Sequence, residues 1–176
     1  MLGFVSDATL APEIAALVNR VYADAEKGLW AEGGSRTTES EVADLIRAGE
    51  IVLARRGERV VGAVRVQRIE DGVGEFGMLV ADPGERGTGI GKALVSFAEN
   101  WALRRDLAHM QLELLVPREW QHPVKEFLRA WYTRLGYRVV HVGDFTRDYP
   151  ALAPHLACPC DFLVFRKDLR SQWLNS

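Results

Sequence analysis

The chain has 176 residues, 48% of them hydrophobic and 26% charged, with a formal net charge of −2 at pH 7. This composition suits a soluble globular protein with one core, so a single domain over 1–176 is expected and a disordered chain is not. No apolar run approaches the roughly 20 residues that cross a bilayer, no basic stripe offers itself to a phosphate backbone, and the N-terminal MLGFVSDAT lacks the basic-then-apolar order of a secretory signal; neither membrane nor nucleic acid is an expected partner, and a cytoplasmic location follows by default.

In chain order, Ile14, Leu17, Val18, Val21 and Tyr22 recur at spacings of three and four and predict a first helix, with Pro12 in its first turn. A glycine-rich polar stretch, EKGLWAEGGSRT, leads to a short second helix in which Thr38 and Glu41 have capping-box spacing and Gly49 stands at the C-terminal stop. Strands follow over 51–55, 60–68 and 75–81, with turns near Gly57 and Asp71-Gly72, so this block reads as an antiparallel meander. Ile90, Leu94, Phe97, Ala98 and Trp101 then share one face of a helix over about 89–104. A strand over 110–116, a helix over 124–134 with Phe127, Leu128 and Trp131 as its apolar face, and strands over 137–142 and 162–166 complete the chain. The segment 143–161 is irregular and long enough to suggest a functional loop. The whole predicts a mixed α/β sheet of about six to seven strands with about four helices on both faces. Cys158 and Cys160, separated by one proline, lack further ligands at zinc spacing and read as free thiols, so no metal is expected.

The stretch ERGTGIGKAL, from Glu85 to Leu94, places three glycines at every second position before a helix. The nucleotide P-loop is excluded by Arg86 and Ala93 at two required positions, and the dinucleotide fingerprint by Lys92 where its last glycine belongs. The physical opportunity remains: a helix start offers unpaired N–H groups and partial positive charge, and glycines let a diphosphate approach them. Arg86 and Lys92 add charge. A plain turn, using glycine only for positive φ or tight packing, is the alternative.

Leu79-Val80-Ala81-Asp82-Pro83, followed by Arg86-Gly87-Thr88-Gly89-Ile90-Gly91, resembles the acetyl-CoA signature of the GCN5-related N-acetyltransferases (GNAT), and Trp131-Tyr132-Thr133-Arg134-Leu135-Gly136-Tyr137 is similar to a second motif of that family. With the order of elements, the resemblance covers residues 1–167. It implies a splayed central sheet, acetyl-CoA as co-substrate, the backbone of Leu79, Val80 and Ala81 along the pantetheine arm, and the amides from Arg86 to Gly91 around the diphosphate. A homodimer is common among relatives. Ala81 replaces a more usual valine, and Lys125 stands in place of the usual asparagine seven residues before the tyrosine.

Acetyl transfer needs a neutral amine, a stabilised oxyanion and a proton for the departing thiolate. The resemblance places Tyr132 as general acid, a Val80 amide at the oxyanion, and Glu75 as the base acting through water. Glu113 interrupts the apolar strand QLELLV, which is costly unless the carboxylate is paired or used, so it is a candidate for acceptor binding or proton relay. Trp30, Arg36, Glu119, His122 and Tyr149 are candidates for the acceptor pocket; Trp30 has packing, and His122 a plain loop position, as competing readings. The expected activity is N-acetylation of a small primary amine by direct attack. A non-catalytic acyl-CoA-binding module and a protein lysine or N-terminal acetyltransferase are the alternatives.

Overall fold

The computed structural model describes residues 1–171, and positions 172–176 of the expected domain lie outside the described residues. The chain runs β1 (Leu2–Phe4), α1 (Ala11–Ala25), α2 (Glu39–Arg47), β2 (Ile51–Arg56), β3 (Arg59–Glu70), β4 (Val73–Ala81), α3 (Ile90–Leu103), β5 (His109–Pro117), α4 (Pro123–Arg134), β6 (Arg138–Asp144), the single turn α5 (Phe145–Asp148) and β7 (Cys160–Asp168). The strands form one sheet in the order β1-β2-β3-β4-β5-β7-β6. All neighbouring pairs are antiparallel except β4 and β5, so the sheet is mixed, as expected.

Local chemistry accounts for the element starts. Pro12 occupies the first turn of α1, where its missing N–H is no loss. The Thr38 hydroxyl accepts the Glu41 N–H at 3.1 Å, but the Glu41 carboxylate accepts from Thr37 Oγ1, so only half of the expected capping box forms. β1 has no counterpart among the sequence-predicted elements; three residues are too few to show a period, and pairing with Val52–Ala54 is what makes Leu2–Phe4 a strand.

Each face of the sheet buries its own apolar set. Ile14, Leu17 and Val18 of α1 and Val42 and Ile46 of α2 pack on Ile51, Leu53, Ala63 and Val80. On the opposite face Leu94, Val95 and Ala98 of α3 and Tyr132 of α4 pack on Val64, Phe76, Leu112 and Phe165. The apolar face predicted for α4 needs correction: Phe127 is 60% exposed, whereas Lys125 and Tyr132 are the buried residues of this helix. Positions 125, 128 and 132 make the inward stripe, and a lysine on it is invisible to a pattern that counts only apolar residues. A third cluster, Leu29, Phe145, Cys160, Phe162 and Val164, lies under the stretch before β7.

The sheet opens in the middle. β4 and β5 pair only through Val73–His109, Gly74–Met110 and Glu75–Gln111, after which β4 stays with β3 and β5 with β7. Beyond that point β4 also carries a bulge: the register shifts between the Ala63–Val80 and Arg65–Gly77 pairs, and Met78 adopts φ +49°.

The placement of α3 over β3 depends on Gly62, where a Cβ would lie 2.9 Å from Ile90 Cγ2, 3.0 Å from Leu94 Cδ1 and 3.0 Å from the Val80 carbonyl oxygen. Gly62→Ala is therefore expected to lower stability by about 1–3 kcal/mol through overpacking. Urea denaturation measures this, and a midpoint equal to wild type contradicts the close approach.

Candidate active site

The loop between β4 and α3 is set by a buried carboxylate. Glu85 is 8% exposed and accepts from Arg56 Nη2 and Arg59 Nη2, each at 2.8 Å, which ties the loop to the β2–β3 hairpin. Its backbone carbonyl accepts both the N–H and the hydroxyl of Thr88, at 3.1 and 2.7 Å. Such doubly paired arginine contacts are charge-assisted and fix the loop in one arrangement. Gly87 and Gly89 have φ of +80° and +84°, and a Cβ at either would meet nothing within 4 Å. Tight packing is thus excluded as their reason. What remains is left-handed backbone and an unobstructed approach to the mouth of α3.

That mouth begins at Ile90 with Gly89 as its cap and no side-chain hydrogen bond to it. By helix geometry the N–H groups of Ile90, Gly91 and Lys92 have no acceptor in the helix and carry its positive end. Arg86 and Lys92 are exposed beside it. A cleft of about 470 Å³, lined by Leu2, Arg55, Arg56, Thr88, Gly89 and Ala93 among others, opens on the β2 side of this mouth. The β4–β5 opening lies beyond β3 in the strand order, and four of the other candidate residues gather there.

Along β4, the Asp82 N–H donates to Val61 O at 2.8 Å, and in an extended strand the amide two residues back points the same way. Val80 therefore directs its N–H to β3 and buries its side chain, 2% exposed, against α1. The expected oxyanion and pantetheine contact through Val80 does not fit this register. The amides of Leu79 and Ala81 face the other way, into the opening. The bulge at Met78 is what shifts the parity, and nothing in the local sequence announces it.

Tyr132 lies on α4 at the opening, packed on Phe76, Tyr137 and Phe165 with ring centroids 6.0–6.3 Å apart. It is 6% exposed, and its hydroxyl has no hydrogen-bond partner among the described residues and is not fully enclosed. Burial raises its pKa well above the ordinary phenol value, and the Tyr22 phenol adds to this. Tyr22 belongs to α1, on the other face of the sheet.

On the α1–α2 face the opening is bordered by carboxylates. Glu75 accepts from Gln67 Nε2 at 3.0 Å and from Gln111 Nε2 at 2.9 Å. Glu113, two residues along β5 from Gln111, accepts the Tyr149 hydroxyl at 2.6 Å. Partial desolvation raises the Glu113 pKa; the Tyr149 hydrogen bond opposes this, and the charges of Glu75 and Asp148 reinforce it. Burial and Glu113 in turn raise the Tyr149 phenol. The structure therefore brings Glu75, Glu113, Tyr149 and Tyr132 to one opening. Arg36 is near it, its guanidinium 5.1 Å from the Tyr22 ring centroid.

Other candidates are placed away from the opening. His122 is 5% exposed and caps α4, accepting the Val124 N–H on Nδ1 and donating from Nε2 to the Lys27 carbonyl at 3.1 Å. Trp30 packs edge-on to Phe145 and gives its indole N–H to Glu26. Both are engaged in packing and capping. Glu119 is exposed in the stretch before α4. Reasoning from sequence missed Tyr22, Gln67 and Gln111; of these, only the two glutamines on strand faces alternating with apolar residues gave any signal. Cys158 and Cys160 are free, with their sulfurs 3.8 Å apart.

Among the described residues no group of three or more His, Cys, Asp or Glu is placed to hold a metal ion, and no helix is long and apolar enough to cross a membrane. No curated protein matches the chain by sequence. Solved structures do match its fold. An aminoglycoside 6′-N-acetyltransferase complexed with coenzyme A aligns with a TM-score of 0.72 at 16% identity, covering 96% of this chain and 97% of that one. The PaiA N-acetyltransferase from Thermoplasma acidophilum in complex with coenzyme A gives 0.71 at 13%, covering 96% and 98%, and a ribosomal-protein-alanine N-acetyltransferase from Brucella melitensis gives 0.68 at 14%, covering 96% and 99%. The family model described as "Acetyltransferase (GNAT) family" matches residues 17–137, which spans α1 through α4 and both glycine-loop and tyrosine motifs. The chain belongs to the GNAT acetyltransferase family, enzymes that use acetyl-CoA as the acetyl donor.

Proposed function

We propose that this enzyme transfers the acetyl group of acetyl-CoA directly to a primary amine of a small molecule, with Tyr132 as general acid. The observation that carries the reading is the setting of Tyr132: its ring packs on Phe76 of β4 and Phe165 of β7, the strands that flank β5, and its hydroxyl has no acceptor among the described residues. In this reading the diphosphate lies on the amides of Gly87 to Lys92, and the thioester reaches the gap with its carbonyl oxygen accepting from an outward amide of β4, Leu79 or Ala81. The amine nitrogen attacks the carbonyl carbon, the C–S bond breaks, and the thiolate takes the proton of Tyr132. A phenol whose pKa is raised by burial stays protonated at neutral pH and is available as a donor.

The amine must first lose a proton, since alkylamines titrate near 10. Glu75, oriented by two glutamine amides, takes it through water. Glu113, held by the Tyr149 hydroxyl, binds the cationic substrate, and its carboxylate favours an amine over an acid as acceptor.

Tyr132→Phe keeps the aromatic packing and removes only the donor. It is expected to lower kcat at least about tenfold with an unchanged Kd for CoA; equal turnover in an amine screen following CoA release removes Tyr132 from the mechanism. For wild type, kcat/KM is expected to rise toward alkaline pH as the amine deprotonates. Because burial raises the Tyr132 pKa, its protonated form persists as pH rises, so a descending limb below about pH 10, the ordinary phenol value, argues against it as the acid. Gly89→Val is expected to weaken CoA binding at least about tenfold and, through its positive φ, to cost about 1–2 kcal/mol of stability. Calorimetry decides this: unchanged affinity moves the diphosphate elsewhere.

A further inference from the structure

Behind the carboxylate-lined face lies a buried polar cluster that the proposed reaction does not use. Glu26, just past the end of α1, accepts from Lys125 Nζ at 2.9 Å on one oxygen and from Trp30 Nε1 at 2.5 Å on the other. The Lys125 and Glu26 side chains are 4% and 9% exposed. The same junction is sewn by main-chain bonds, Ala31 N–H to His155 O at 2.8 Å and Ala157 N–H to Leu29 O at 2.9 Å, and by the His122 contact to Lys27. Three remote segments meet here: the end of α1, the start of α4, and the stretch preceding β7.

A buried ion pair is a weak source of net stability, because desolvating both charges offsets most of their attraction and apolar residues of similar volume commonly do as well. What such a pair supplies is geometry, since its partners can be satisfied in one arrangement only. Lys125 and Tyr132 are the two buried residues of α4 and stand seven positions apart, two turns along one face, about 10 Å of rise. Glu26 stands just past the end of α1, one turn beyond Tyr22, which packs with the α1–α2 core. The pair therefore joins the end of α1 to the start of α4, the helix that bears the proposed general acid.

We propose that Glu26, Lys125 and Trp30 are positioning residues: their buried clasp fixes the acceptor-side loop after α1 relative to the helix that carries Tyr132. The clasp acts on where the amine sits and leaves the diphosphate site at the mouth of α3 untouched. This rests on the acetyl-transfer reading for one of its two measurements only.

The test compares Lys125→Met with the charge-free double variant Lys125→Met/Glu26→Leu. The single variant leaves a buried carboxylate unpaired and is expected to lose thermal stability. The double variant is expected to regain more than half of the lost Tm, to bind CoA as wild type does, and to keep an acceptor KM raised about tenfold or more for the best amine of the screen. Amide hydrogen exchange at Leu29–Ala31 is expected to stay faster than in wild type. Lys125→Arg, which retains the pair, should restore both measurements toward wild type. A double variant that regains stability, acceptor KM and slow exchange together shows the pair to be only filling space and overturns the proposal. If the double variant does not fold, Trp30→Phe decides, since it removes the indole donor and keeps an aromatic ring against Phe145: a raised acceptor KM with unchanged CoA affinity supports the clasp, and an unchanged KM overturns it. If no amine is turned over at all, the acetyl-transfer reading fails by itself, and exchange at Leu29–Ala31 still judges the clasp.

Discussion

The parting of β4 from β5 after three paired residues is the constraint on which the rest of the structure depends. Two neighbouring strands of a sheet ordinarily keep their ladder, because backbone N–H and C=O groups left without partners are costly when shielded from water. Here the ladder cannot continue. Phe76, Leu112, Leu114, Tyr132 and Tyr137 fill the space on one face with rings and branched chains, and the bulge at Met78 turns β4 away on the other. The result is an internal edge in the middle of a seven-stranded sheet, flanked by fully paired strands and therefore protected from pairing with another chain. An extended ligand that carries amides of its own is the partner such an edge accepts best.

The glycine loop is useful only because it is already in place. Glu85 holds two arginines of the neighbouring hairpin while remaining buried, and Thr88 closes the turn on its carbonyl. Ordering a loop of this size during binding would cost about 1–2 kcal/mol per residue of backbone entropy, enough to cancel much of the gain from a few phosphate hydrogen bonds. A loop fixed beforehand avoids that cost. The fixed φ values at Gly87 and Gly89 belong to the same economy: the strain that a side chain would feel there is absent, and the amides stay uncovered.

Much of this was legible in the sequence, and the parts that were not have physical reasons. The glycine spacing before α3 and the aromatic motif around Tyr132 report local backbone needs and a specific resemblance, so the family could be read. The meander could be read from alternation and turn residues. The inward lysine of α4 could not, since burial of Lys125 depends on Glu26 some hundred positions away, and Phe127 looked the better core residue by hydropathy. Trp30 and His122 looked like pocket residues because an aromatic and a histidine in loops invite that reading; tertiary contacts claim both. The direction of the Val80 amide hangs on a one-residue bulge, and a single residue of register reverses every amide after it.

The width of the opening is limited from below by a polar row that crosses four strands at the last β4–β5 pair. Glu50 accepts from Arg65, Arg65 donates to Gln67, Gln67 and Gln111 both donate to Glu75, and Arg166 bridges Gln111 to Glu70, with every contact between 2.7 and 3.0 Å. This row ties β3, β4, β5 and β7 together where the main-chain ladder ends, so the sheet opens beyond Glu75 and no earlier. The order of groups along it also matters. Each arginine is paired with an outer glutamate, and the central carboxylate touches only neutral amides. Glu75 is thus held in place without being neutralised by direct contact, and its charge remains directed at the opening. Hydrogen bonds from amides orient a carboxylate, whereas a direct guanidinium contact would also have consumed the attraction that an incoming ammonium group needs. The same row that keeps the sheet from opening any earlier therefore leaves the Glu75 carboxylate at the opening without a cationic partner among the described residues.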